Sequence, residues 1–300
     1  MKEDRWKTKL LRSGYLEISV AAVIAGSVGL FVKRIDLPAS TITFGRFLFG
    51  CLALLALRAG SGSLTCPRGK KSVGLLLLTG LLTAMAWLTF MSAFKYIPVA
   101  NTVLLAFCSP VIITFLAHRF LRERVQGIAV AALVLATAGA ALIALPGARA
   151  MSQDDLIGMA LAVSSAWLGA AETIAIKKVD KSLSSEVLNI YRYGVAATFL
   201  LPFVLPNGLS MTWKAFLLTL ALGVVHTALA GTIYVLGLRK AEVHKASILG
   251  YLEPLSATVL AWLFLSEYPS LFTVLGGGSI LLASYLVVRS RVAEVRPTAI

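Results

Sequence analysis

Stretches of about twenty mostly apolar residues recur along this chain, parted by short gaps that carry most of its charge. About twenty apolar residues is the length at which an α-helix crosses the hydrocarbon core of a bilayer. Only 14% of the residues are charged and 58% are hydrophobic, whereas a soluble domain carries about 25% charged residues. Too few polar groups remain to cover a water-facing surface. A soluble enzyme, a disordered chain and a disulfide scaffold are therefore excluded, and an all-α integral membrane protein is predicted.

Ten spans are predicted: Ser13–Val32, Ser40–Leu57, Ser72–Phe94, Ile97–His118, Val125–Leu145, Leu156–Ile176, Ser184–Leu205, Thr212–Leu238, Ala246–Leu265 and Leu271–Val288. No short alternating strands suggest a β-barrel. Turn residues fill the gaps, as in Asp36-Leu37-Pro38, Pro146-Gly147 and Pro206-Asn207-Gly208. Tyr96-Ile97-Pro98 marks a tight turn between spans three and four. The first block is too long for a signal-peptide core and reads as the first membrane helix.

The net charge of +14 comes from 28 Lys+Arg against 14 Asp+Glu. These basic residues crowd short loops, so they orient the chain and do not point to nucleic acid. Twenty-one of the 28 fall on alternate loops, from the N-terminus through Arg119, Lys177 and Arg239 to Arg289. Positive loops remain cytoplasmic, which places both termini in the cytoplasm of a prokaryotic plasma membrane. Cys51, Cys66 and Cys108 show no paired spacing and read as reduced thiols.

Shifted by 144 residues, the sequence matches itself. Gly14 falls on Gly158, Lys33-Arg34 on Lys177-Lys178, Asp36 on Asp180, Pro110 on Pro254, Phe120-Leu121 on Phe264-Leu265 and Glu123 on Glu267. Two extra residues in the second copy align Arg46 with Arg192. The predicted units are residues 13–147 and 148–290, flanked by cytoplasmic segments 1–12 and 291–300. Five spans per unit is an odd number, so the second unit enters the membrane inverted. Inverted repeats of this kind place a substrate site near the midplane and exchange between inward-open and outward-open states.

The residues around these repeats resemble the drug/metabolite transporter superfamily in its EamA-like branch. Phe44-Gly45-Arg46-Phe47 and Tyr191-Arg192-Tyr193 correspond to the family's arginine in the second helix of each repeat. Ser109-Pro110 through Glu123, and Glu253-Pro254 through Glu267, correspond to its proline-then-glutamate signature. The resemblance implies ten helices, a central cavity and export of small metabolites or amphipathic drugs. The chain departs from the family in its first span, where Ala25-Gly26-Ser27 stands in place of Trp-Gly-Ser.

Ionisable groups inside a membrane are costly and mark function or pairing. Glu172 shares a helical face with Gly158, Ser165 and Gly169, so it looks at protein or cavity. It suits a cationic substrate group, a proton or an internal ion pair. Glu253 sits on a face with Ala246, Gly250 and Ala257, and Pro254 predicts a kink beside it. Arg46 and Arg192 recur in both repeats, as do Pro110 and Pro254, and all four read as structural or gating residues, each arginine a candidate partner for Glu172 or Glu253. Trp87, Trp167, Tyr234, Tyr251, Asn101 and His226 are further cavity candidates, each with packing as the plain alternative. Asn189 carries the same two readings. Glu17, near a helix end, reads as a solvated or tethering residue, and Glu267 as a helix-end or salt-bridge residue.

No Walker loop, metal-ligand spacing or catalytic cluster appears, so neither an enzyme nor a bound cofactor is predicted. The leading expectation is a secondary transporter exporting small metabolites, amino acids or cationic amphipaths, with protons as a candidate coupling ion. An intramembrane lipid-modifying enzyme and a channel or scaffold are the alternatives. Small residues in spans five and ten read as intrachain packing, favouring a monomer over a dimer.

Overall fold

The structure is a computed structural model. It describes residues 14–59, 69–121, 152–179, 183–207, 210–240, 249–250 and 252–294, with 127–128, 131, 134–135, 138–139 and 142. The described residues are helical, with no strand among them.

In chain order the helices are α1 (Tyr15–Gly26), α2 (Val28–Arg34), α3 (Ala39–Ala59), α4 (Lys70–Tyr96), α5 (Val99–Ala106), α6 (Ser109–Leu121), α7 (Gln153–Lys178), α8 (Ser185–Val204), α9 (Trp213–Ala221), α10 (Ala230–Lys240), α11 (Leu252–Leu265) and α12 (Leu271–Glu294). A π-helical stretch, Leu222–Leu229, joins α9 to α10. Among the described residues six segments are long and apolar enough to cross a membrane: Tyr15–Arg34, Ala39–Ala59, Lys70–Tyr96, Gln153–Lys178, Ser185–Val204 and Trp213–Lys240. Asn101–Ile113, Leu255–Leu265 and Leu271–Ala283 are shorter apolar helices. The predicted fifth span lies largely outside the described residues.

Local chemistry sets the helix ends. Ser152 caps α7 in a capping box with Asp155, and Lys177 and Lys178 occupy its last turn. Ser184 and Thr212 accept from backbone N–H groups at the starts of α8 and α9. The predicted fourth span is interrupted at Phe107 and Cys108, and α6 restarts with Pro110 as its second residue. Pro254 likewise falls in the first turn of α11. A proline there forfeits no helical hydrogen bond, so Pro110 marks a restart after the break at Phe107 and Cys108 rather than a mid-helix kink.

Contacts fix the helix directions. Glu17 at the start of α1 meets Lys240 at the end of α10, Nζ to Oε1 2.6 Å, and Ser27 just past α1 meets His226 just before α10, so these helices are antiparallel. Gly158, early in α7, abuts Tyr96 and Ile97 at the end of α4. Leu76, early in α4, packs near Val179 just past α7, so α4 and α7 are antiparallel too. Gly26 faces Ser256, and Arg34 Nη2 donates to the Phe264 carbonyl (3.4 Å), so α1–α2 and α11 run parallel.

The packing pairs exchange when the two halves of the chain change places. The α4–α7 contact has its mate in α1–α10. The contact of α8 with α4 has its mate in that of α3 with the π-helical stretch. The contact of α5–α6 with α7 has its mate in α11 with α1, and α3 and α8 pair with each other at the centre.

Candidate functional site

Phe47 of α3 and Tyr193 of α8 occupy equivalent positions in the two halves. Their rings stack at 5.5 Å with an interplanar angle of 20°, so the pseudo-two-fold axis passes between them. The preceding arginines, Arg46 and Arg192, are both buried. They face a central cavity of ≈ 330 Å³, at the small end of the ~300–1,000 Å³ typical of small-molecule sites.

The two arginines meet different partners. The Arg192 Nε lies 3.4 Å from Glu172 Oε1, an ion pair without an aligned hydrogen bond. Thr83 Oγ1 donates to the same carboxylate oxygen (2.5 Å). Arg192 Nη2 also contacts the Tyr193 hydroxyl at 3.5 Å, and that hydroxyl donates to the Thr227 carbonyl (3.1 Å). Among the described residues no carboxylate lies within ion-pair distance of Arg46. Its Nε donates to Thr227 Oγ1 (2.9 Å), and its guanidinium lies 3.9 Å from the centre of a Trp87 ring. A desolvated contact of that kind is worth roughly 2 kcal/mol. Thr83 and Thr227 are themselves 144 residues apart, so one repeated threonine serves each arginine arm in a different way.

The π-helical stretch supplies Thr227 and His226. Thr227 Oγ1 donates to the Leu222 carbonyl five residues back (3.0 Å). The wider turn brings His226 Nε2 within 2.8 Å of Ser27 Oγ on the first span, with Phe31 edge-on to the ring at 4.9 Å. Such wide turns often occur at functional sites. No feature of the sequence announced this one, because one extra residue in an apolar helix leaves its composition unchanged.

The cavity also brings together Trp87, Ser165, Gly169, Tyr234 and Glu253. Among the described residues no partner holds the Glu253 carboxylate. Other candidates lie elsewhere. Trp167 is 52% exposed on the outer face of α7 and does not line the cavity. Asn101 accepts from Thr273 Oγ1 (2.9 Å) and ties α5 to α12 away from the cavity. Asn189 donates to Thr232 Oγ1 (3.3 Å), joining α8 to α10. Tyr251 lies outside the described residues, as do Glu123 and Cys66. Cys51 and Cys108 are free thiols. No group of three or more His, Cys, Asp or Glu residues suited to a metal occurs among the described residues.

The two ends of the cavity differ. Its lining reaches Ile18, Ile176 and Leu238, near the start of α1 and the ends of α7 and α10. The opposite end is tied shut around Glu267. One carboxylate oxygen accepts from the Val99 N–H (2.8 Å) at the start of α5, and the other lies 3.6 Å from Lys33 Nζ. Lys95 Nζ adds a bond to the Ile35 carbonyl (2.9 Å).

Comparison with known proteins agrees with this arrangement. The family model of the EamA-like transporter family matches residues 12–145 and again residues 156–289. An uncharacterized transporter of Archaeoglobus fulgidus is 28% identical over 284 residues, covering 93% of this chain and 97% of the relative. The pseudopaline exporter CntI of Pseudomonas aeruginosa is 27% identical over 294 residues, covering 94% and 98%. A chain of known crystal structure superposes with a TM-score of 0.67 at 20% identity, covering 95% of this chain and 99% of that one, a likeness of fold.

Proposed function

The chain belongs to the EamA-like transporter family, and from that premise we propose a secondary-active exporter of small metabolites working by alternating access. The observation that carries this reading is the central cavity, charged in its middle, extended toward one end and tied shut at the other. We assign ten membrane helices to two inverted five-helix repeats, residues 13–147 and 148–290. The opposed directions of α1 and α10, and the exchangeable packing pairs, support that assignment. Loop charge supports a prokaryotic plasma membrane with both termini cytoplasmic. The cavity then faces the cytoplasm, the side from which an exporter collects its load. The protein works as a monomer in this reading, and protons are the candidate coupling ion.

The test is counterflow in proteoliposomes of the purified chain, with and without a pH gradient. Saturable, trans-stimulated uptake of a labelled metabolite is the expected result. Flux that rises linearly with concentration would point to a channel. Turnover of lipid without solute flux would point to an intramembrane enzyme.

A further inference from the structure

The mated helix pairs α4–α7 and α1–α10 match closely at their ends. Gly158 abuts Tyr96 in the first pair, and Gly14, 144 residues before Gly158, abuts Lys240, 144 residues after Tyr96. Their middles differ. Helices α4 and α7 run unbroken for 27 and 26 residues, and Thr83 donates to Glu172 where they cross. By the same shift Thr83 falls on Thr227 and Glu172 on Val28, so the second pair has no carboxylate at that place. Both of its members are interrupted there instead. Helix α1 ends at Gly26 and α2 begins at Val28, while the π-helical stretch precedes α10. These interruptions fall where the open part of the molecule meets the sealed part. On one side Ile18 and Ala25 of α1 and Ala230 and Leu238 of α10 line the cavity. On the other, Val32 of α2 and Ala215 of α9 are buried in one core with Phe94 and Val99. The interruptions are also joined. Ser27 Oγ donates to the Ile24 carbonyl (2.8 Å), which leaves its oxygen to accept from His226 Nε2 (2.8 Å). Lys240 and Glu17 join the far tips of α1 and α10.

We propose that α1 and α10 form one paired arm, hinged at Ser27 and at the π-helical stretch, which swings to close the open end of the cavity while α4 and α7 stay straight as a strut. Helices kink at Gly/Ser pairs and at π-helical turns, and Gly26-Ser27 and Leu222–Leu229 supply one of each. An unbroken pair tied at its crossing by a hydrogen bond to a charged group resists the same bend. The Ser27–His226 bond makes the two hinges move together, so the arm bends as a unit. Helix α1 has 12 residues, about 18 Å of length, so a bend of about 20° carries its tip about 6 Å. The inference deepens the alternating-access reading and rests on it for the purpose of the motion. The two repeats then contribute unequally, since one helix pair moves and its mate does not.

The experiment measures distances between nitroxide labels by double electron–electron resonance. It uses the full chain in nanodiscs, with its three cysteines replaced by serine. The arm pair, Leu16→Cys with Lys71→Cys, runs from the tip of α1 to the start of α4. The strut pair, Lys71→Cys with Leu156→Cys, runs from the start of α4 to near the start of α7, and all three positions are exposed. Each pair is measured with Glu267 present and with Glu267→Ala, which loosens the sealed end. The arm pair is expected to shorten by up to about 6 Å while the strut pair stays unchanged. Ser27→Ala and His226→Leu are expected to broaden the arm distribution, because the hinges no longer move together. His226→Gln keeps an N–H for Ser27 and is expected to restore the wild-type width. A merely structural role for that bond would lower the melting temperature and leave the widths unchanged, and that result overturns the joined hinge. A shift of similar size in both pairs, or none in either, overturns the arm. An arm that shifts without counterflow in proteoliposomes would stand while the transport reading falls. Counterflow with both pairs shifting alike would keep transport and remove the arm.

Discussion

At the scale of single residues, identical letters in a repeat took different partners. The small-residue face of α7 correctly aimed Glu172 inward, because lipid offers a carboxylate nothing and Ser165 and Gly169 leave it room. Which arginine it would meet was not legible, since Arg46 and Arg192 stand at matching positions. Trp167 was misplaced because an aromatic residue is equally at home against lipid and in a cavity, and hydropathy does not separate the two. The Arg192–Glu172 pair leads to a stability prediction. Glu172→Gln keeps an acceptor for Thr83 but leaves Arg192 buried without a countercharge, at a cost of about 3–5 kcal/mol. The melting temperature in detergent should fall well below wild type. Adding Arg192→Gln should restore much of the loss, because the two groups interact directly. Additive losses in the double variant would show that the pair contributes nothing.

At the scale of elements, hydropathy located the six long described helices to within a few residues, while most of the predicted fifth span and the start of the ninth lie outside the described residues. Predicted Ser184–Leu205 became Ser185–Val204, and Thr212–Leu238 became Trp213–Lys240. Burial in lipid demands continuous apolar length, and that signal is strong. Departures from the regular helix were less visible. Pro110 hinted at the break in span four, but nothing hinted at the π-helical stretch that delivers His226 and Thr227. That stretch lies close against α3 through two glycines. A Cβ on Gly223 would meet Phe49 Cβ at 2.5 Å and the Arg46 carbonyl at 3.0 Å, and one on Gly50 would meet Thr227 Cγ2 at 2.7 Å. Small residues let helices approach in this way. Gly223→Val should push the stretch away from α3 and separate Thr227 from Arg46. The expected cost is about 1–3 kcal/mol, as for overpacked cores, read as an earlier melting transition. Gly74→Val, where a Cβ would meet nothing within 4 Å, should leave that transition unchanged.

At the scale of the whole molecule, the two matched repeats make the two ends of the cavity chemically comparable, so the end that is closed depends on a few contacts. Glu267 supplies the most concentrated set, holding the start of α5 and Lys33 together. A carboxylate at a helix N-terminus is stabilised by the free N–H groups and the dipole there. Glu267→Ala removes both contacts, and a loss of about 1–2 kcal/mol from the closed state would change the ratio of the two states roughly 5- to 30-fold. The readout is a single cysteine at Val28, which lines the cavity, in a chain whose three cysteines are replaced by serine. In intact cells a membrane-impermeant maleimide should label Val28→Cys slowly when Glu267 is present and several-fold faster when it is alanine. Inverted vesicles should show the opposite trend, because the same population is being moved. Equal labelling from both sides in both backgrounds would mean that Glu267 seals nothing. Faster labelling from both sides at once would mean a pore held open, which alternating access between two halves does not allow.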